Sequence, residues 1–96
     1  MILKLDIQTV GVSIDHDMQQ RIKSMIQRLR RHISDINWVD VYFRKEKSHS
    51  TGQRTVGVRL GIPGNDVFAS MSGLHWVTLL KTVEEKLERQ LKRRKK

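Results

Sequence analysis

The sequence predicts an α+β domain of two layers, in which two helices pack on one face of a four-stranded sheet in the order β-α-β-β-β-α. Four segments alternate apolar and polar residues with a period of two, which is typical of half-buried strands. Two longer segments each carry a single apolar stripe at helical spacing. Because each helix has only one face to bury, both can pack on the same side of the sheet.

The first strand is expected over about residues 2–10, where Leu3, Leu5 and Ile7 alternate with polar residues before Gly11 ends the strand. Asp15 can cap the helix that follows, and Asp17 adds negative charge to its first turn. Steps of three and four residues between apolar positions predict this helix from about 16 to 33. The stripe consists of Met18, Ile22, Met25, Ile26, Leu29 and Ile33.

Three strands follow in close succession. The second opens at Asn37, and the polar stretch 45–53 is expected to form a hairpin loop. The third strand carries the apolar residues Val56, Val58, Leu60 and Ile62. The sequence Pro-Gly-Asn-Asp at 63–66 predicts a tight turn, because Pro presets φ and Gly supplies a positive φ. The fourth strand is expected at 67–71.

A second amphipathic helix completes the chain. Ser70 or Ser72 can cap it. Its apolar stripe consists of Trp76, Leu80, Val83, Leu87 and Leu91. We expect residues 1–96 to form one domain, with a basic C-terminal end at 92–96 that frays.

Charge is the most informative property of the composition. Nineteen Lys and Arg against ten Asp and Glu give a formal net charge of +9 and a pI near 10.5. Such a field attracts polyanions: nucleic acid, an acidic membrane or an acidic protein.

The chain has no Cys, which excludes disulfides and thiolate metal sites. No segment has membrane-spanning length and the N-terminus lacks a secretory pattern, so we expect a cytoplasmic protein that does not contact membranes.

The cations are arranged along both helices. In the first helix no acidic residue follows Asp17, and the next one along the chain is Asp35. In the second, Glu84 and Glu88 lie on one flank of the apolar stripe, whereas the cations gather on the opposite flank. A solvated face gains nothing from such segregation, but a surface against phosphates does. The predicted RNA-binding residues are Arg21, Arg28, Arg31, Lys86, Arg89, Lys92 and Arg93.

Catalysis is not expected. The four His have no spacing typical of a metal site, and no Gly-rich loop opens a helix. We therefore expect no enzyme activity, no cofactor, no metal and no small-molecule substrate.

The aromatic residues Trp38, Tyr42 and Phe68 fall on the uncovered sheet face and could stack on bases. Such aromatics more often pack together or form a subunit contact, so self-association through this face stays open.

Three segments carry a resemblance that extends over essentially the whole chain. They are Lys-Leu-Glu-Arg-Gln-Leu-Lys at 86–92, Val-Phe-Ala-Ser at 67–70, and Ile-Asn at 36–37. The sequence resembles the ribosome hibernation promoting factor family, which includes ribosome-associated inhibitor A. The resemblance implies the same fold and a partner, the small ribosomal subunit, whose channel for mRNA and tRNA anticodon ends the protein would occupy through rRNA contacts. By position, Lys86, Arg89, Lys92, Arg93 and Arg28 carry over.

The chain departs from the family pattern at both helix starts. It has His-Trp-Val at 75–77 where the family usually has Asp-Met-Tyr, and Asp-His at 15–16 where Thr-Pro is usual. These changes suggest a divergent branch. The chain also resembles the short form, without the C-terminal dimerisation domain of the long form or the acidic tail of the inhibitor.

Two other functions stay open at this stage. A general double-stranded RNA-binding domain has a similar α-β-β-β-α core, but it places a Lys cluster at the start of its last helix. Here residues 73–76 contain no Lys or Arg, and His75 is the only residue among them that can carry a positive charge. A basic adaptor that docks on an acidic protein is the other alternative, and sensitivity of binding to RNase would separate it from both RNA functions.

Overall fold

The computed structural model describes residues 4–46 and 53–94. For Arg94 it describes the backbone but not the side chain. Its six elements follow the predicted order. They are β1 (Lys4–Val10), α1 (His16–Leu29), β2 (Trp38–Lys45), β3 (Arg54–Gly61), β4 (Val67–Gly73) and α2 (Trp76–Arg94). The start of the first predicted strand, the centre of the predicted hairpin loop and the last two residues of the basic end lie outside the described residues. Residues 92–94, expected to fray, belong to α2.

The four strands form one mixed sheet in the order β1-β2-β3-β4. β1 pairs in parallel with β2, while β2, β3 and β4 pair antiparallel. The parallel pair requires a crossover, and α1 provides it. The register aligns Val41 with Ile7 of β1 and with Val58 of β3, and aligns Val58 with Ala69 of β4. Because side chains alternate along a strand, this register puts the apolar set of every strand on the same face.

The hydrophobic core lies between that face and the two helices. Val39, Val41 and Phe43 of β2 are at most 1% exposed. They share one continuous buried cluster with the apolar stripes of α1 and α2. The ring of Phe43 packs edge-on against Trp76 at the start of α2, with 5.4 Å between ring centroids. The two-layer α+β fold predicted from the sequence is therefore confirmed.

Helix α1 begins as predicted and ends earlier than predicted. The Asp15 carboxylate accepts a hydrogen bond from the backbone N–H of Met18 at 2.9 Å, which confirms the N-cap. The helix ends at Leu29 rather than near residue 33. Beyond it the N–H of His32 donates to the carbonyl of Leu29, three residues back. This tighter turn still leaves Ile33 packed against the core, so the apolar stripe outlasts the helix.

The predicted N-cap of α2 is wrong. Ser70 and Ser72 both belong to β4, and α2 begins at Trp76. The strand extends to Gly73 because it pairs with β3 along its whole length. The hydroxyl of Ser72 lies 2.8 Å from that of Thr55 on the neighbouring strand, so it completes a cross-strand hydrogen bond instead of a cap. No helix within the described residues is long and apolar enough to span a membrane.

No helix among the described residues covers the second face of the sheet. Gly57 and Gly61 of β3 lie on it, directly opposite Tyr42 and Trp38 of β2. A Cβ atom at Gly57 would lie 2.2 Å from the Tyr42 ring, and one at Gly61 would lie 2.1 Å from the Trp38 ring. Each ring therefore occupies the space that a side chain would need at the glycine opposite it. Aromatic cover of this kind compensates for glycine in a sheet.

We expect Gly57→Ala to destabilise the fold by about 1–3 kcal/mol, because the added methyl must displace the Tyr42 ring. Urea unfolding of Gly57→Ala, Tyr42→Ala and the double variant measures the coupling. In the Tyr42→Ala background the same glycine substitution should have little effect. An equal loss in both backgrounds would show that the ring does not account for the glycine.

Candidate nucleic-acid interface

The two helices run side by side and in the same direction, and a partly buried ion pair joins them. Nε and Nη2 of Arg28 on α1 donate to the two carboxylate oxygens of Glu84 on α2, at 2.7 and 2.8 Å. The Glu84 side chain is only 11% exposed, whereas that of Arg28 is 47% exposed. Donation of hydrogen bonds to the Glu84 carboxylate raises the pKa of Arg28, and the negative charges of Glu84 and Glu88 add to the effect.

A second contact between the helices lies one turn further on. Nε2 of His32 is 3.1 Å from a carboxylate oxygen of Glu88. Arg28 and His32 are four residues apart, as are Glu84 and Glu88, so both pairs connect the same flanks of parallel helices. The acidic flank of α2 is therefore turned toward α1.

The opposite flank of α2 lies along β4, which is an edge strand. Nζ of Lys86 donates to the carbonyl of Ser70 at 3.0 Å. The side-chain amide of Gln90, one turn later, donates to the carbonyl of Phe68 at 2.8 Å. These contacts satisfy edge carbonyls that would otherwise be open to pairing with another strand. Lys86, predicted to contact RNA, thus also has a structural contact.

The remaining predicted cations on α2 are exposed. Arg89, Lys92 and Arg93 are all solvent-exposed, and none has an acidic partner among residues 4–46 and 53–94. α1 ends at Leu29 and its turn ends beside Glu88, so the last part of α2 extends past it. The cations of this segment, together with the exposed Arg31 in the turn after α1, are available to a partner.

The other two predicted residues on α1 lie in a different setting. Arg21 pairs with Asp17 at 2.9 Å, and both side chains are largely exposed. Arg21 and Arg28 line an open groove of about 560 Å³ between the helices, together with four acids. Those acids are Asp17, Glu84, Glu85 and Glu88. The structure therefore places the seven predicted cations in two groups, one beside carboxylates and one free of them.

The contacts between the helices give a second reason for the charge segregation on α2, and the sequence did not reveal this reason. The acids gather on one flank because α1 presents Arg28 and His32 to that flank. Segregation on this helix therefore follows from packing as well as from any contact with phosphates. A helical wheel of α2 alone cannot show it, since Arg28 is 56 residues away in sequence. We find no cluster of three or more metal-ligating side chains within the described parts of the chain.

Comparison with known proteins adds a family and two similar structures. Residues 5–96 match the model of a family described as Sigma 54 modulation protein / S30EA ribosomal protein. A ribosomal subunit interface protein from Coxiella burnetii has a TM-score of 0.84 at 18% identity, with 98% of each chain covered. The N-terminal domain of Protein Y from Thermus thermophilus has a TM-score of 0.79 at 14% identity, with 94% of this chain and 97% of that one covered. No curated protein matches in sequence. At these identities the structures establish the fold.

We expect Glu84→Gln to lower the free energy of unfolding by about 1 kcal/mol, because a half-exposed Arg28 loses its charged partner. Glu85→Gln is the matched control: it removes the same charge from the next residue of α2, which is exposed. It should change stability by less than about 0.5 kcal/mol. Chemical denaturation at neutral pH measures both. Equal effects would mean that the ion pair does not hold the helices together.

Proposed function

The chain belongs to the Sigma 54 modulation protein / S30EA ribosomal protein family, as its resemblance to hibernation factors predicted, and on that premise we propose that it binds the small ribosomal subunit. It contacts rRNA phosphates and occupies the channel used by mRNA and tRNA anticodon ends. No bond is made or broken, and translation is inhibited because the channel is filled. Such a protein acts in the cytoplasm on idle ribosomes.

The observation that carries this proposal is the group of exposed cations at the end of α2. Arg89, Lys92 and Arg93 lie without acidic partners in the described chain, on a helix segment that extends beyond α1. Cations presented together on one helix segment contact phosphates and release condensed counterions from the RNA. The net charge of +9 attracts the domain to rRNA over a longer range.

The seven predicted contact residues contribute in different ways. Arg31, Arg89, Lys92 and Arg93 are the direct phosphate ligands in this proposal. Lys86 extends the same surface while it holds the β4 edge. Arg28 uses Nε and Nη2 for Glu84, which leaves Nη1 of a half-exposed side chain to donate to a phosphate. Arg21, paired with Asp17, contributes least.

Recognition in this proposal depends on RNA shape. Phosphate contacts position a protein without reading sequence, and folded RNA presents backbone and 2′-hydroxyl groups in a specific three-dimensional arrangement. The cations lie in the C-terminal half of α2, whereas a double-stranded RNA-binding domain has them at its start. This difference favours the ribosomal channel over a regular duplex as the partner.

The first experiment is co-sedimentation of the protein with isolated small and large ribosomal subunits at low and moderate salt, with an unrelated duplex RNA as competitor. We expect saturable binding of one copy to the small subunit that the duplex does not displace. Equal displacement by the duplex would identify a general RNA-binding domain. Binding that survives RNase digestion of the partner would identify an adaptor for an acidic protein.

Charge reversal tests which surface makes the contact. We expect Arg89→Glu with Arg93→Glu to weaken binding to the small subunit at least tenfold. The dependence of log affinity on log salt should become shallower by about 0.9 for each lost phosphate contact. Lys23→Glu with Arg30→Glu is the matched control, because it makes the same total charge change at exposed positions on α1 and just after its end. If both double variants lose the same affinity, only net charge matters and the proposed surface is wrong.

A further inference from the structure

We propose that the uncovered face of the sheet is a second RNA-binding surface, which stacks unpaired bases of a single strand on Trp38 and Tyr42. This surface lies on the side of the sheet opposite the helices. It therefore binds a different segment of RNA, by different chemistry, from the phosphate contacts of α2.

The two rings are supported from below by the backbone of β3. Trp38 lies over Gly61 and Tyr42 lies over Gly57, in the space that a side chain at either glycine would need. Both aromatic residues are partly exposed. Because neither glycine has a side chain that rises beside the ring, each ring is a stable platform with a surface left to solvent. An aromatic surface of this kind attracts the π-face of any base.

An arginine lies beside the two platforms, with its guanidinium over β4. Arg59 is the residue of β3 between Gly57 and Gly61 that points to the same face, and it is exposed. Its guanidinium carbon lies 4.8 Å from the centroid of the Phe68 ring on β4. Such a pairing holds the guanidinium in position, where it can stack on a base or donate to a phosphate.

The face also has a group that can read the edge of a base. Asp40 lies between Trp38 and Tyr42 on β2, is exposed, and is aligned with Arg59 on one side and with Asp6 on the other. An exposed carboxylate can accept hydrogen bonds from donors on a base. The amino groups of cytosine and guanine are such donors.

The spacing defines the minimum ligand. Gly57 and Gly61 are four residues apart on one strand, which separates the two platforms by roughly 13 Å. One base cannot contact both rings at that distance. The ligand is therefore a segment of single-stranded RNA with a base for each ring, and with the intervening backbone near Arg59.

Charge distinguishes this occupant from a second copy of the chain. Each copy carries a net charge of +9, so face-to-face association brings two strongly positive domains together. RNA approaches the same surface with the opposite charge. Aromatic rings with an arginine among them are the features that single-stranded nucleic acid requires.

The test compares a fluorescent single-stranded RNA of eight nucleotides with an abasic oligonucleotide of the same length, which has the phosphates but no bases. Fluorescence anisotropy measures affinity for each. We expect the wild-type protein to bind the base-bearing strand about tenfold or more tightly. The double variant Trp38→Leu with Tyr42→Leu, which keeps apolar cover over the glycines, should bind the two strands equally. Trp38→Phe with Tyr42→Phe should retain most of the preference.

The helix variant Arg89→Glu with Arg93→Glu separates this inference from the proposed function. It should weaken binding of both oligonucleotides by the same factor and leave their ratio unchanged, while the leucine variant should still sediment with small subunits. Equal affinity of the wild-type protein for both strands would overturn the inference. A preference that persists in a folded leucine variant would also overturn it.

A measurement on the wild-type protein makes the result independent of how well the variants fold. Amide chemical shifts of Gly57, Arg59 and Gly61 should move on titration with the base-bearing strand and stay in place with the abasic strand. Shifts confined to α1 and α2 would contradict the inference. A dimer in analytical ultracentrifugation that the leucine variant abolishes would assign the face to a second copy instead.

Discussion

Burial of a single face of the sheet beneath two parallel helices is the constraint on which the rest of the structure depends. A domain of this size has one core, and here all the apolar faces meet in one layer. Both helices must lie side by side to cover four strands, so each presents a flank to the other. The Arg28–Glu84 pair forms at that contact, where Glu84 is nearly excluded from water and a bidentate partner satisfies both of its oxygens.

The same packing organises the surface charge. Acids on α2 are turned toward α1, and the opposite flank meets the edge of β4 through Lys86 and Gln90. Cations beyond the end of α1 pair with no acid among the described residues, so positive charge is in excess at that end of the molecule. The packing of α2 against α1 and β4 therefore produces both a groove of mixed charge and a strongly basic end. The proposed contact with rRNA relies on this separation.

The uncovered face follows from the same constraint, because two helices on one side leave the other side without a layer. The glycines of β3 let Trp38 and Tyr42 lie over the strand, which shields backbone and keeps the rings in place. In the inference that we draw, stability and recognition therefore have the same structural origin on this face, because the rings that protect the sheet also stack on bases. The helix side binds phosphates and the sheet side binds bases in the function that we propose.

Local pattern in the sequence was enough to predict the element order, the alternating strands, the Asp15 cap and the turn at Gly64, whose φ is +94°. Each depends on residues near in the chain. The end of α1, the place of Ser72 in β4 and the partner of Arg28 required the tertiary structure, since each depends on a contact with a distant segment. The seven cations could be identified from the sequence, but their division into two groups could not. A helical wheel shows which residues share a flank, and only the packed fold decides what that flank faces.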